Sequence, residues 1–492
     1  MCEPILAPLA RGLGSAIIPT QPPRSGVDFA MDRDTAERLP VATLFSYALP
    51  GAGTGFLFAL MLVVYLNYAT EVLGVAASVV GAVFFAARVW DAVCDPLVGY
   101  WSDRTRSRLG RRKSWLLASC PALLLFAVAA WAPPQALAGT ALVAWIAVAV
   151  FGFYTTYTLF EVPHMALGAE LTQHRRDRVR VFAARQLVRT LGLFAAFGLG
   201  ASLLEDLATA RERLGVLAGS AGVLTALCIL WTIAALPRER PDYAGRGPVG
   251  SWRAAHDVWR NRDARVLLFV YGIEQLGIGG IGVLVPFVVR HVLRKPDLIA
   301  EMLLCYTLPA LFSVPLWMWL GERFDKRALW MRAMALSGIG FGMLLFLGEG
   351  TIGLMVASSL IAGVASGCAP TLGQALKADV IDRDELATGE RKEGAYFAAW
   401  NLVSKLASGI MVGLVGFALD LSGFAPGVEA QSAAVVRTMT FLCGGMPLFG
   451  FAVGMWWFRG FGLTQDEHAR VLAAIAERER ASSAPPDAEG SR

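Results

Sequence analysis

Twelve long apolar stretches separated by polar loops are the feature that most limits how this chain can fold. Each is close to the roughly 20 residues that an α-helix needs to cross a bilayer core of about 30 Å. Strands of a membrane barrel would give segments of about ten residues, so a β-barrel is disfavoured. The sequence predicts an all-α polytopic membrane protein. The predicted spans are residues 44–68, 77–99, 114–132, 138–166, 183–204, 214–236, 264–290, 298–320, 329–348, 351–376, 395–420 and 437–459.

Composition and loop charge agree with this class and predict an orientation. Hydrophobic residues make up 55% of the chain and charged residues 17%, against about 25% charged in an ordinary soluble chain. Basic residues follow the second span, from Arg104 to Lys113, and the fourth span, from Arg175 to Arg180. Loops rich in Lys and Arg face the cytoplasm. We therefore expect both termini and the loop at 237–263 to be cytoplasmic, in a plasma membrane of the bacterial inner-membrane type.

The same inventory disfavours several function classes. The net charge of +5 comes from clusters beside spans, so we expect a lipid bilayer and no nucleic acid as partner. The seven cysteines lack paired spacing or a Cys/His ligand pattern, so neither disulfides, a metal site nor a cofactor is expected. A membrane enzyme needs a nucleophile–base pair or metal cluster, and a sensor needs a sizeable soluble domain. The sequence offers neither, and both are less favoured than a transporter.

A loop signature recurs in the two parts of the chain. Gly99-x-x-x-Asp103-Arg104 ends the second span, and Gly321-x-x-x-Asp325-Lys326 ends the eighth. Arg185 and Lys405 repeat at nearly the same offset. These repeats predict two six-helix halves of parallel topology, the major facilitator fold, with the substrate between them near mid-membrane. The predicted regions are an N-terminal tail at 1–43, the halves at 44–236 and 264–459, the central loop at 237–263 and a C-terminal tail at 460–492.

The two loop signatures allow two interpretations. In the first, Asp103 and Asp325 pair with neighbouring arginines or a helix N-terminus, and together with Arg104 and Lys326 they latch one face of the protein shut. In the second, they are only charges that set topology. Further along, Thr464-x-x-Glu467 is a capping box before apolar residues and predicts a short cytoplasmic amphipathic helix.

Two longer motifs identify a family resemblance. "RVWDAVCDPLVGYWSDRTRSRLGRRKSW" at 88–115 and "ADVIDRDELATGERKEGAYFA" at 378–398 resemble the glycoside-pentoside-hexuronide:cation symporter family, which includes melibiose permease. The likeness extends from residue 44 to about 420. It implies that the coupling cation is bound by Asp91, Asp95 and Thr158, with Cys94 at the position of an amide ligand. It further implies that Glu161, Arg185 and Lys405 belong to the substrate site.

Two positions depart from the pattern of the family's galactoside carriers. The first-span aspartate that binds galactosyl hydroxyls falls on Gly55, and the fourth-span tryptophan that stacks on the sugar falls on Met165. A galactoside substrate is therefore not expected. A lysolipid or other amphiphile is the alternative to a sugar, because animal lysolipid carriers resemble the same family.

The residues also allow direct physical reasoning. An ionised side chain at mid-bilayer costs roughly 2.5–3.5 kcal/mol on insertion scales, so Asp91, Asp95 and Lys405 should face a cavity and find partners. Arg88, one turn from Asp91, is a candidate for the substrate site or for a structural ion pair. The substrate path is expected to include Tyr157, Trp400 and Asn401, although aromatic residues in membranes are more often packing contacts. A lone buried His164 is more often simply hydrogen-bonded than a proton relay.

The identity of the coupling ion is inferred from the same two carboxylates. Two carboxylates one turn apart in a low dielectric oppose each other's ionisation, and sulfur is a soft ligand where Cys94 replaces an amide. H⁺ is therefore favoured over Na⁺, which is the alternative, and Asp95 is the expected carrier because Arg88 lies nearer Asp91 in sequence. We expect a monomeric, cation-coupled secondary active symporter for a small solute, a sugar or glycoside, that works by alternating access.

Overall fold

The computed structural model describes residues 39–172, 175–200, 202–204, 206–237, 239, 256, 258–389, 392–428 and 430–483. Most of the predicted N-terminal tail, most of the central loop and the last residues of the C-terminal tail lie outside this range. From Val41 onward the chain forms one compact unit. In the described residues the regular structure is entirely helical, which confirms the predicted class.

In the described residues, twelve long helices follow one another along the chain. Eleven are long and apolar enough to cross a membrane. The other, α5, contains Arg185 and Arg189 and is continued by a π-helical turn at Ala196–Gly200. The helices are α1 (Val41–Val72), α2 (Ala77–Arg104), α3 (Arg111–Trp131), α4 (Gly139–Glu170), α5 (Arg175–Ala195), α6 (Leu207–Ala235), α7 (Arg262–His291), α8 (Pro296–Arg323), α9 (Lys326–Phe346), α10 (Ile352–Thr388), α11 (Glu393–Leu421) and α12 (Ala433–Phe458).

Helix α10 runs twelve residues further than the apolar pattern predicts. Its apolar span was expected to end at residue 376, but the helix continues to Thr388 and ends at Gly389, whose φ of 77° is the left-handed conformation that glycine tolerates. A thirteenth helix, α13 (Gln465–Ser483), packs on this polar extension. Thr464 Oγ1 accepts a hydrogen bond from Glu467 N at 3.3 Å at its start, as the capping motif predicts.

The two ends of the bundle differ in how the halves α1–α6 and α7–α12 meet. We call the end where α2 ends at Arg104 and α3 begins at Arg111 the basic end, and the opposite end the closed end. The halves meet through α1 with α7, α2 with α11, and α5 with α8. The α1 and α5 segments in these contacts are Leu60–Asn67 and Ala196–Gly200, which lie towards the closed end.

Small residues allow α2 and α11 to approach each other closely at the closed end. A Cβ on Gly416 would lie 2.1 Å from the carbonyl oxygen of Ala77, and one on Gly81 would lie 2.9 Å from that of Val412. Beyond this contact, Asp420 accepts hydrogen bonds from the backbone nitrogens of Ala77 and Ser78 at 3.1 and 2.8 Å. The backbones of the two halves are therefore in direct contact here, as expected where small residues replace bulky ones in membrane helices.

Candidate cation and substrate site

The predicted cation residues meet where α2, α4 and α11 pack together. Asp91 and Asp95 are one turn apart on the same face of α2. The single hydroxyl proton of Thr158 on α4 is shared between the two carboxylates, with Oγ1 at 2.6 Å from Asp91 Oδ1 and 3.2 Å from Asp95 Oδ1. The structure thus brings together three residues that are widely separated along the sequence.

The ammonium group of Lys405 lies between the two carboxylates. Its Nζ is 3.0 Å from Asp91 Oδ2 and 2.6 Å from Asp95 Oδ2. Because two like charges one turn apart destabilise each other, the positive charge from α11 stabilises the pair. Lys405 belongs to the other half of the protein, so this contact depends on how the two halves are positioned.

The two carboxylates differ in exposure. The side chain of Asp91 is 2% exposed and that of Asp95 is 28% exposed. Asp91 also accepts a hydrogen bond from Arg88 Nη1 at 3.0 Å. Asp95 is therefore the carboxylate more open to an incoming ion, and Asp91 is the one more tightly held by protein groups.

Arg88 connects Asp91 to α11. Its Nε and Nη2 donate to Ser408 Oγ at 3.0 and 2.9 Å, and its guanidinium carbon lies 5.1 Å from the ring centroid of Tyr154. Its described polar partners are thus Asp91 and Ser408. This geometry matches the structural ion pair that the sequence left as one interpretation of Arg88.

Cys94 lies on α2 beside the two carboxylates. It is 5% exposed and close enough to interact electrostatically with Asp91, Asp95 and Lys405. Its thiol is free, as are the thiols of the other described cysteines. Among the described residues, no group of three or more His, Cys, Asp and Glu side chains is arranged to hold a metal ion.

A second polar cluster joins α1, α4 and α5. Glu161 forms an ion pair with Arg185, whose Nε donates to His164 Nδ1 at 3.3 Å. His164 Nε2 is 2.9 Å from the carbonyl oxygen of Tyr47, and Tyr47 OH donates back to His164 O at 3.1 Å. The fully buried imidazole has partners at both nitrogens, which agrees with the structural interpretation of this histidine.

Arg189 belongs to the same cluster and was not singled out from the sequence. It lies one turn beyond Arg185 on α5, within electrostatic reach of Glu161. Its guanidinium carbon is 5.6 Å from the ring centroid of Phe58 on α1. The sequence signal that could have identified Arg189 is the four-residue spacing of two arginines inside an otherwise apolar span.

Close packing of α1 on α5 explains the first departure from the galactoside pattern. A Cβ on Gly55 would lie 2.4 Å from the carbonyl oxygen of Arg189, and one on Gly192 would lie 1.9 Å from that of Ala52. An aspartate side chain therefore has no room at position 55 in this arrangement. Met165, the second departure, is 39% exposed on α4.

The three expected path residues lie in different environments. Tyr157 is 6% exposed and its ring centroid is 5.2 Å from that of Phe58. Trp400 is 2% exposed and packs on Tyr396. Asn401 is exposed. The two aromatic side chains are thus packed inside the protein, and the amide is the accessible group of the three.

The residues of the expected latch form contacts within each half. Asp103 pairs with Arg112, and the guanidinium carbon of Arg104 lies 3.6 Å from the ring centroid of Tyr100. In the other half, Lys326 Nζ is 2.9 Å from Asp379 Oδ2, and Asp325 caps α9 by accepting from Ala328 N at 3.1 Å. These contacts stabilise the basic end of each half separately, and a latch between the halves stays a prediction.

Comparison with known proteins identifies relatives along nearly the whole chain. The family described as MFS/sugar transport protein matches residues 46–465. A glucuronide carrier protein homolog of Escherichia coli (strain K12) is 26% identical over 90% of this chain and 97% of its own length. An isoprimeverose transporter of Lactiplantibacillus pentosus is 24% identical over 84% and 87%. Sodium-dependent lysophosphatidylcholine symporter 1 of Gallus gallus is 23% identical over 92% of both chains.

A solved structure supports the fold. The crystal structure of a D-xylose-proton symporter matches with a TM-score of 0.62 over 85% of this chain and 97% of that chain, at 13% identity. At this identity the match shows the fold alone. Together with the family match over residues 46–465, it confirms the major facilitator fold predicted from the loop repeat. The chain belongs to the MFS/sugar transport family, among symporters that resemble melibiose permease.

Proposed function

We propose that this protein is a cation-coupled secondary active symporter that moves a sugar or glycoside across the plasma membrane by alternating access. The observation that supports this most directly is the bridge from Lys405 in the C-terminal half to Asp91 and Asp95 in the N-terminal half. A coupling cation would be bound by the same carboxylate oxygens. The cation and the ammonium therefore compete, and cation binding changes a contact between the two halves.

This competition provides a route to coupling. When a cation neutralises Asp95, the ammonium of Lys405 loses an acceptor at 2.6 Å and becomes available to an acceptor on the solute. Solute binding to Lys405 in turn leaves the carboxylates free for the cation. Each ligand strengthens the binding of the other, as reciprocal linkage requires.

H⁺ is our preferred coupling ion. A proton needs no coordination shell, whereas Na⁺ requires several hard oxygen ligands and would meet the soft sulfur of Cys94 among them. Asp95 is the proposed proton carrier because it is more exposed than Asp91 and does not contact Arg88. Na⁺ is the alternative, supported by the similarity to the sodium-dependent lysophosphatidylcholine symporter.

The polar character of the site favours a hydroxylated solute. Glu161, Arg185 and Arg189 concentrate charge on α4 and α5, and charged groups bind hydroxyls strongly in a low dielectric. The names of two relatives refer to a glucuronide and to isoprimeverose. A lysolipid is the second candidate, because Gly55 and Met165 replace sugar-reading residues and one relative is a lysophosphatidylcholine symporter.

We assign the basic end to the cytoplasm because its loops are rich in Lys and Arg. Both termini are then cytoplasmic, and the contacts between halves at the closed end make this the inward-facing state of the cycle. We propose that the protein works as a monomer in a bacterial-type inner membrane.

Uptake by proteoliposomes tests the proposal. Vesicles containing the protein are given an imposed pH gradient and, separately, an imposed Na⁺ gradient, each with isoprimeverose, methyl β-D-glucuronide or lysophosphatidylcholine. We expect accumulation of a sugar driven by the pH gradient. Asp95→Asn should abolish accumulation against a gradient and retain exchange, whereas Lys295→Met, on an exposed loop, should match the wild type.

Two results would change the proposal. Uptake driven strongly by Na⁺ at zero pH gradient and zero membrane potential would show that Na⁺ is the coupling ion, and the proposed cation site would stay the same. Transport of lysophosphatidylcholine with no movement of either sugar would replace the substrate class.

A further inference from the structure

The C-terminal half contains a second group of buried polar side chains, which the mechanism above does not use. Lys377 on α10 is 4% exposed and Glu274 on α7 is 6% exposed. Tyr271 on α7 and Trp400 on α11 surround the lysine. We call these four residues the Lys377 cluster.

Lys377 is held by aromatic rings. Its Nζ lies 4.0 Å from the ring centroid of Tyr271 and 5.1 Å from that of Trp400. Among the described residues it has no hydrogen-bond acceptor and no carboxylate within ion-pair distance, although Glu274 is within electrostatic range. An ammonium group has three N–H donors, and among the described residues none of them has an acceptor. The ammonium therefore depends on water or on a bound solute for its hydrogen bonds.

The neighbouring side chains also have unused hydrogen-bonding capacity. Glu274 Oε1 accepts from Trp330 Nε1 at 2.6 Å, but Glu274 Oε2 is buried without a partner among the described residues. Trp400 Nε1 is a buried donor that also has no hydrogen-bond partner among the described residues. The cluster thus combines two unused donor groups, one unused acceptor and two aromatic faces.

The cluster lies beside the cation site, on the side of the basic end. Trp400 and Lys405 are five residues apart on α11, which corresponds to about 7.5 Å along a helix axis. Ser404 fills the turn between them and accepts from Gln275 Nε2 of α7 at 2.7 Å. Residues five apart lie about 140° apart around a helix, so the connection runs through Ser404, which is also hydrogen-bonded to Tyr271 of the cluster. A solute that extends from Lys405 past Ser404 would reach the cluster.

We propose that Lys377, Glu274 and Trp400 bind hydroxyl groups of the transported solute, with a sugar ring lying against Tyr271. This inference rests on the proposed function. A hydroxyl fits because it accepts from the ammonium and donates to the carboxylate at the same time. A phosphate or carboxylate would also accept from Lys377 but would be repelled by the carboxylate of Glu274, so a hydroxylated ring is favoured over a lysolipid headgroup.

The first test measures the stability of the purified protein without solute. If Lys377 has no protein partner, Lys377→Met removes a charge that no protein acceptor stabilises and should leave Tm unchanged or higher. If Lys377 is one partner of a structural ion pair with Glu274, the same change leaves the carboxylate uncompensated and should lower Tm clearly. A lower Tm would overturn the proposal. Lys295→Met is the matched control for the chemical change at an exposed position.

The second test measures binding by thermal shift with isoprimeverose, methyl β-D-glucuronide and lysophosphatidylcholine. We expect Lys377→Met and Glu274→Gln to weaken binding of isoprimeverose, which has no carboxylate, at least tenfold, and Lys295→Met to change it less than twofold. Sugar binding within twofold of wild type in Lys377→Met would overturn the inference and leave the proposed function intact. Lysophosphatidylcholine binding that depends on Lys377, without sugar binding, would overturn both the hydroxyl assignment and the proposed sugar.

Discussion

The two ends of the bundle are held together in different ways. At the closed end, Glu71 of α1 contacts His291 of α7 at 2.6 Å and accepts from Gly427 N at 2.8 Å. Arg290 donates to the carbonyl oxygen of Leu204, and Asp420 caps the start of α2. Each of these contacts joins one half to the other.

At the basic end, the described ion pairs connect helices of the same half. Arg111 Nη2 is 2.6 Å from Glu170 Oε1, which joins α3 to α4. Lys326 and Asp379 join α9 to α10, and His468 of α13 lies 3.1 Å from Asp382 of α10. A carrier that works by alternating access must release contacts at one end while each half stays intact. The closed-end contacts are the ones to be released, and the basic-end contacts are the ones that keep each half rigid.

The strongest way to test this comparison is to prevent release of the closed end. Ser78 and Asp420 side chains are in hydrogen-bond contact, so Ser78→Cys combined with Asp420→Cys places two thiols next to each other. We expect oxidation to cross-link α2 to α11 and to abolish uptake, and reduction to restore it, because the halves can no longer separate there. The single variant Ser78→Cys with the same oxidant is the control. Full uptake by cross-linked protein would contradict a moving closed end.

A second variant acts by keeping the halves apart at the closed end. Gly416→Ala places a Cβ 2.1 Å from the carbonyl oxygen of Ala77, so α2 and α11 must shift. We expect uptake to fall at least about tenfold, since a shift that costs 1.4 kcal/mol corresponds to a factor of ten in an equilibrium. Gly353→Ala is the matched control, because no other atom lies within 4 Å of its Cβ. Equal uptake by both variants would show that close approach is not required.

The sequence predicts the architecture well because lipid imposes simple rules on a chain. Apolar length defines the spans, and the twelve helices and the family follow from span count, loop repeat and the two motifs. The length of α10 is underestimated from the sequence, because its last turns are polar and are covered by α13. The sequence also places the start of α5 too late, at residue 183, because the first turns from Arg175 are rich in arginine.

Sequence reasoning names residues of the candidate site but does not give their arrangement. The spacing of Asp91 and Asp95 indicates a carboxylate pair, but only the fold places Lys405 between them. The close approach that excludes an aspartate at position 55 depends on Gly192 of another helix, which no local pattern reveals. Glu274 and Lys377 are more than one hundred residues apart; Glu274 looks like an isolated charge in an apolar stretch, and Lys377 looks like the first charge of the polar segment after the span 351–376.

The smallest expected effects come from weakening one charged contact at each end of the bundle. Asp420→Asn keeps the shape of the side chain but weakens charge-assisted hydrogen bonds to Ala77 and Ser78, each worth about 1.5–3 kcal/mol. The loss weakens a contact between halves, so we expect it to shift the protein towards the state open at the closed end. Spin labels at the exposed loop positions Pro134 and Gly350, one on each half, should show a longer distance population in this variant.

Lys326→Met is the matched change at the basic end. It removes a partly exposed ion pair within the C-terminal half, with Lys326 24% exposed, and such pairs contribute about 0–1 kcal/mol. Because both partners move together during the cycle, we expect a slightly lower Tm and no change in the spin-label distances. If Lys326→Met shifted the distances as much as Asp420→Asn, the contacts at the two ends would have the same role, and the latch predicted from the loop signatures would act between the halves. If only Asp420→Asn shifts them, the basic-end contacts hold each half together while the closed end opens.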